Sequence, residues 1–514
     1  MPQSLVQYAW TLDRPRASHI GIVPRQMVSS GANNITVLIM ARTNSILRLN
    51  HPFTQNFIAG SILFCLPGIY LALTGLGAGG GKPSSQQVAA NVNAILYGAF
   101  FLTGWFGGAI FNLIGPRWTV LLGSIGYALY TGGLWYYDRT GNSWLAYLGG
   151  AIDGVSGGLL WASVNAIAYS YAEEMDKALY MTIQWTLCEG GSTIAALVAL
   201  GINMHAESQN AGAPNPVYIV FIVIQVFAMV LAVTLLVRPK TIIRSDGTHL
   251  ALFDAPAIKT ELSGIIHMLR DYKFMLLLPP IFAAEMALAL QSSLNGYYFN
   301  LRTRSLNNVM FNFIQLPASF GMTYILDNER FGRRRVRCLI GITLMSAITL
   351  SICAAEAAWL VKNDIDRSRP GPSVDWTDSR FGSPFAIYTI YGSVYSIYQI
   401  AVQYVICTLT NEPERLSRMA GVFRGGTAFG MMFSFILDGH GVSYVGQLSF
   451  QFACYAVGIV FLYYVAIKWS TDSNYFHEDK VIVPEHVKQE AQAAGCGGEE
   501  EHETIETREV VGKK

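Results

Sequence analysis

Three carboxylates and one guanidinium stand where so apolar a chain tolerates charge least. Asp153, Glu189 and Glu285 each lie about ten residues into a long apolar run, and Arg424 lies inside another. An ionisable group at the middle of a bilayer is costly, which makes it a functional candidate by default. A buried carboxylate there can take up and release a proton. A guanidinium can neutralise it, hold an anionic group of a solute, or snorkel towards water. At about 100° per residue, Glu189 shares a face with Thr182, Thr186, Ser192 and Thr193; Glu285 with Ser292 and Asn295; and Arg424 with Thr427, Ser434 and Asp438. Tyr388, Tyr391, Tyr395, Tyr398 and Gln399 fall within about 100° of one helical arc, where substrate contact and interhelical packing both fit. Asp153 sits among Gly149, Gly150, Gly154, Gly157 and Gly158, so a structural hydrogen bond in a tight helix pair fits it as well as a cavity role. Glu356 reads as solvated, near the outer end of its run.

The elements that must position these groups are membrane helices. The chain has 514 residues, of which 52% are hydrophobic and 13% charged, whereas a soluble domain carries about a quarter charged residues. Twelve runs can cross about 30 Å of hydrocarbon: about 55 to 76, 93 to 114, 117 to 137, 144 to 170, 180 to 202, 217 to 237, 274 to 296, 307 to 326, 336 to 359, 384 to 408, 417 to 439 and 444 to 468. The eighth is the weakest, because it holds polar residues and Pro317. The expected division is a poorly ordered cytoplasmic segment over 1–52, a six-helix half over 53–240, a cytoplasmic connector over 241–272, a second six-helix half over 273–469, and a disordered polar tail over 470–514.

Basic residues set the orientation, since cytoplasmic loops retain Lys and Arg. With both termini inside, that side receives Arg117, Lys177, the connector's Arg238, Lys240, Arg244, Lys259, Arg270 and Lys273, the cluster Arg330, Arg333, Arg334, Arg335 and Arg337, and Arg415 and Arg418. The other side receives Lys82, Arg139, Arg302 and Arg304, and a loop whose Lys362, Arg367, Arg369 and Arg380 are matched by Asp364, Asp366, Asp375 and Asp378. The sequon at Asn34 then lies inside, and no glycan is expected.

The charge balance of 35 basic to 34 acidic residues gives no polyanion-binding surface, so nucleic acid is not an expected partner. The seven cysteines form no C-x-x-C pair or His/Cys cluster, and neither disulfide nor metal is expected. The opening residues lack the order of a cleaved signal peptide. P-loop, H-E-x-x-H and nucleophile-elbow motifs are absent. "TGLGAGGGKPSS" reads as a glycine-rich turn because its spacing fails as a phosphate cradle.

The two halves repeat one another. "YAEEMDKALYM" and "TNEPERLSRMAG" occupy matching turns ahead of the pairs Gly190-Gly191 and Gly425-Gly426. "GGAIFNLIGPRW" and "GMTYILDNERFGRRR" occupy another matching position. These two resemble the G-x-x-x-D-R-x-G-R-R gate loop of the major facilitator superfamily. The first keeps Gly108, Gly115 and Arg117 but has Asn112 in the place of the acid. The second keeps Gly321, Asp327, Arg330, Gly332, Arg333 and Arg334. With "LPGIYLALTGLGAGG", "GSIGYALYTGGLWYYDRTGNSW" and "IRSDGTHL", the chain from about 50 to 470 resembles the fungal branch of the uncoordinated-ninety-three-like membrane proteins.

The resemblance implies an all-α membrane protein with twelve helices in two six-helix halves of the major facilitator fold. Spans one, four, seven and ten would border the pathway, placing the tyrosine face there. Asp327 would be the counter-charge of Arg330 or Arg333. The expected function is transport of a small solute by alternating access, with proton coupling as an added expectation. The alternative is a non-transporting regulator or chaperone of another membrane protein. No catalytic activity or cofactor is expected; the expected partners are the lipid bilayer and either a small solute or a second membrane protein.

Overall fold

The computed structural model describes residues 48–70, 86–204, 215–252 and 257–493. The N-terminal segment before them, the glycine-rich turn with Lys82, the Asn34 sequon, Cys496 and the acidic close of the tail lie outside the described residues.

From Leu49 onward the chain is one compact unit built of helices. The first six are α1 (Pro52–Cys65), α2 (Gln86–Ile114), α3 (Pro116–Thr140), α4 (Trp144–Tyr171), α5 (Lys177–Asn203) and α6 (Asn215–Leu235). A connector helix, α7 (Ile258–Arg270), leads to three short pieces, α8 (Tyr272–Met275), α9 (Leu278–Ala283) and α10 (Ala287–Tyr298). The second half continues with α11 (Leu301–Leu326), α12 (Arg334–Lys362), α13 (Gly382–Thr408), α14 (Pro413–Gly439) and α15 (Tyr444–Trp469), followed by the short α16 (Glu485–Ala493). Extended pairing among the described residues is limited to isolated bridges such as Ala251 with Val481.

Nine described helical segments are long and apolar enough to cross a membrane, counting α8 to α10 as one. Three further long helices, α3, α4 and α13, complete twelve; α4 and α13 are continuously buried from Leu159 to Tyr171 and from Val394 to Thr408, so they need little lipid-facing apolar surface. Outward faces carry exposed Leu102, Phe106, Val223, Phe227, Val457 and Val460, a surface suited to lipid. The halves meet where α2 packs on α14 and α5 on α11, with α4 also reaching α14. Gly104 lies against the Gly425 backbone, and Gly108 against Ser417 and Arg418; a β-carbon at either position would collide with main chain. These glycines let α2 and α14 touch backbone to backbone.

The structure departs from three sequence expectations. The seventh span is not one helix: Pro279-Pro280 and a tight turn at Ala284, Glu285 and Met286 divide it. The eighth, expected to be weak, is a continuous 26-residue helix despite Pro317, because its polar side chains are buried against the neighbouring helices rather than exposed to lipid. The tail expected to be disordered from Ser470 is ordered through residue 493. Its polar groups find fixed partners: Glu478 Oε1 accepts from Thr410 Oγ1 at 2.5 Å, Arg244 Nη1 donates to the Ile482 carbonyl at 2.8 Å, and the Glu485 N–H donates to Asp246 at 2.8 Å.

Candidate functional site between the two halves

Glu285 is presented by the break in the seventh span. Ala284 N–H bonds the Ile281 carbonyl, Met286 N–H that of Ala283, and Leu288 N–H that of Glu285, so the turn is tighter than an α-helix. Its carboxylate meets Arg424 from α14, with Nη1 2.7 Å from Glu285 Oε1. The same nitrogen donates to Gln399 Oε1 of α13 at 3.1 Å, and Nη2 donates to Asn165 Oδ1 of α4 at 3.1 Å. The guanidinium lies 4.1 Å from the Trp161 ring centroid. Arg424 thus ties its own half to α4 of the other through charge, amide and ring. Gln403 Oε1 extends the net by accepting from Tyr169 Oη at 3.0 Å and Asn165 Nδ2 at 3.3 Å.

Glu189 on α5 is fully buried, and among the described residues it forms no ion pair. Gln315 Nε2 of α11 donates to its Oε2 at 3.3 Å, Trp185 Nε1 donates to Gln315 Oε1 at 3.0 Å, and Glu189 Oε1 has no partner. It lines a small pocket with Asn308, Asn312, Tyr388 and Tyr395. A second pocket holds Asp153, Glu285 and Arg424 among aromatic rings; Asp153 is 2% exposed and its Oδ1 lacks a partner.

The expected tyrosine face divides. Tyr388, Tyr395 and Gln399 face the centre, whereas Tyr391 Oη contacts Cys353 Sγ at 3.3 Å and the Tyr398 ring packs 5.0 Å from that of Tyr455. Asn295 accepts from Asn307 Nδ2 at 2.9 Å, donates to the Arg304 carbonyl at 3.3 Å and hydrogen-bonds Tyr388. Glu356 is not solvated: it is 1% exposed and accepts from Gln291 Nε2 at 2.8 Å.

The gate loops share one face of the molecule. Asp327 is not paired with Arg330 or Arg333, both of which are exposed. Its oxygens accept from the N–H groups of Leu179 at 2.7 Å and Ala178 at 3.3 Å. A carboxylate from one half therefore caps the first turn of α5 in the other, where the helix dipole favours it. Burial in this loop pushes the Asp327 carboxyl up, and those two N–H bonds oppose the shift. Arg334 takes the ionic role: it is 3% exposed, its Nη1 lies 3.1 Å from Glu174 Oε1, and its Nη2 donates to the Cys407 carbonyl at 2.8 Å. Gly321 has open space around it, so it makes no close helix contact; Gly332 and Gly115 have φ of 102° and 80°, which suit their turns. Arg117 Nε bonds the Leu236 carbonyl within its own half at 3.2 Å.

At the matching site in the first half, Asn112 Nδ2 donates to Glu261 Oε2 at 3.1 Å and to the Glu414 carbonyl at 3.2 Å. Glu261 belongs to α7 and receives Arg418 Nε and Nη2 at 3.0 Å each. The acid missing from the loop is supplied by the connector helix.

The family model for "Ion channel regulatory protein UNC-93" matches residues 90–288. An uncharacterized membrane protein of Schizosaccharomyces pombe is 43% identical over 76% of this chain and 80% of its own length. UNC93-like protein 1 of Arabidopsis thaliana is 31% identical over 84% of this chain and 94% of its own. The chain belongs to the UNC-93 family. Among solved structures, the major facilitator transporter FucP in its outward conformation covers 80% of this chain and 97% of its own, with a TM-score of 0.55 at 13% identity. XylE, a proton:xylose symporter bound to a bromodeoxyglucose, covers 81% and 94% with a TM-score of 0.55 at 10% identity. This UNC-93 family member is accordingly a multi-pass integral membrane protein with the twelve-helix major facilitator fold.

Several site residues of this UNC-93 family member lie outside the set the sequence singles out. Asn165, Gln315 and Gln403 are neutral amides, which inside an apolar helix look the same whether they hold a charge or a packing contact. Glu174 sits in a turn whose charge is visible, but its partner Arg334 is remote in sequence. Glu261 could be found only by asking where the acid absent at Asn112 had gone.

Proposed function

We propose that the protein is a secondary transporter, not an enzyme, moving a small solute by alternating access with proton coupling through Glu189 and Glu285. The observation that carries this reading is the Arg424 node, in which groups from both halves converge on Arg424, paired with Glu285 at a helix break. Broken helices at the midplane are where transporters of this build place their sites. Glu189, with one oxygen unpartnered beside the node, is the proton carrier; Glu285 changes partners as Arg424 is released. Asp153, Tyr395, Tyr388 and Gln399 line the path. Asp327, Arg334 and Glu174 form the inner gate, with the basic gate-loop face and both termini on the cytoplasmic side. Uptake into liposomes under a pH gradient tests the reading. Glu189→Gln and Glu285→Gln each reduce gradient-driven uptake at least about tenfold, one tenfold step being about 1.4 kcal/mol on the barrier; full uptake in both variants removes proton coupling.

A second reading, a regulatory subunit of another membrane protein, draws on the family model's description and on the Asn112–Glu261–Arg418 bridge, which ties the connector across both halves. Capture in mild detergent of a stoichiometric membrane partner, without transport by the isolated protein, favours it.

A further inference from the structure

We propose that the central cavity binds a small organic cation, with the Asp153 carboxylate as its counter-ion and the surrounding aromatic rings as its walls. The inference rests on the transport reading only in making this cation the solute.

The charged groups lining the cavity are Asp153, Glu285 and Arg424. Glu285 and Arg424 neutralise one another at 2.7 Å, which leaves the Asp153 carboxyl as the ionisable group of this lining without a counter-charge. Both Arg424 terminal nitrogens already donate, and its flat face lies on Trp161. Arg424 Nε is buried without a hydrogen-bond partner among the described residues, but an anionic solute would meet a guanidinium whose charge Glu285 already neutralises. A polyhydroxylated neutral solute needs many donors and acceptors, whereas the walls here are chiefly the rings of Tyr70, Tyr97, Phe100, Tyr127, Trp161 and Tyr395. Aromatic faces attract cations within about 6 Å of the ring centre.

A packing role for Asp153 would require it to bond across the tight contact of α3 with α4, where Gly126 lies against the Asp153 backbone. That bond is made by Ser156 instead: Gly126 N–H donates to Ser156 Oγ at 3.1 Å, and Ser156 Oγ donates to the Leu122 carbonyl at 3.0 Å. The Asp153 side chain is left over, 2% exposed, with Oδ1 buried and unpartnered. A buried acceptor without a partner is expensive, and an ammonium N–H entering the cavity would satisfy it.

The test is equilibrium binding to the purified full chain in lipid nanodiscs, by calorimetry and by quenching of tryptophan fluorescence. The probes are phenethylammonium, its neutral analogue 2-phenylethanol and the anion phenylacetate. Saturable binding is expected for the ammonium alone. Asp153→Asn weakens it by at least about tenfold, as for loss of a buried counter-charge, while Asp153→Glu retains part of it. Tyr97→Leu, which keeps the charge and removes a ring, weakens binding less, and Tyr97→Phe leaves it intact. Equal binding of all three probes, absence of ammonium binding, or undiminished affinity in Asp153→Asn overturns the proposal. Binding is read without a gradient. Ammonium binding without gradient-driven uptake sinks the transport reading alone, and gradient-driven uptake of another solute without ammonium binding sinks this one alone.

Discussion

Arg424 is a charge that cannot be removed singly. Its removal leaves Glu285 buried without a partner, and breaking such a pair costs about 3–5 kcal/mol. Arg424→Met is therefore expected to lower the thermal unfolding midpoint in detergent sharply, and adding Glu285→Gln to recover a large part of the loss. Two independent decrements that simply add would show that the pair is not coupled. The arginine cluster separates in the same way. Arg334→Ala, which removes the cation beside Glu174, impairs uptake and stability, whereas Arg333→Ala at an exposed position leaves both within about 0.5 kcal/mol of the parent. Charges inside apolar runs were visible in the sequence because their cost is local and readable one residue at a time. The partners were not: Arg334 finds Glu174 and Arg424 finds Asn165 only after helices distant in sequence are brought together.

The connector shows what element-level patterning can and cannot reveal. Apolar length places the membrane spans, whereas 241–272 reads in the sequence only as a connector; that it holds a helix, α7, which supplies an acid to two others, depends on tertiary docking. Asn112→Asp, which restores the motif's acid, places a second carboxylate beside Glu261. It is expected to loosen α7, seen as faster amide exchange over 258–270; unchanged exchange would contradict the bridge. On the opposite face, the loop between α12 and α13 is stapled by Asp375, which accepts from Arg302 Nε at 2.6 Å and from Asn300 Nδ2 at 2.8 Å. The Arg302 hydrogen bond, opposed by some desolvation and aided by Thr377 and Asn300, holds this carboxyl well below the usual range. A depressed acid stabilises the folded state above its unfolded pKa of about 3.9, and that contribution fades as pH falls further. Protection of the 363–381 amides, taken relative to the intrinsic exchange rate at each pH, should stay flat from pH 7 to about pH 4 and fall only below that, and Asp375→Asn should be poorly protected throughout.

For the whole molecule, the division into two six-helix halves follows from the internal repeat, and alternating access requires those halves to separate on the gate-loop face. Thr182 Oγ1 and Thr323 Oγ1 lie 2.6 Å apart across that division. The double variant Thr182→Cys, Thr323→Cys is expected to cross-link under mild oxidation and lose uptake, with recovery on reduction. Uptake that persists in the cross-linked protein would exclude movement of α5 against α11. What the sequence could not disclose at this scale is the strap over 470–493. Its composition is that of a solvated tail, and it is ordered only because Glu174, Thr410, Asn411 and Arg244 wait for it.

That strap also fixes an order of assembly. Ribosomes deliver the chain from its first residue to its last, so all twelve spans are made before Asn474 reaches Glu174 or Glu478 reaches Asn411. Until then the two halves can be inserted and docked while the Arg334–Glu174 pair still faces water. A chain that stops short after Trp469 would carry the whole membrane body yet leave Glu174 and Asn411 without these partners.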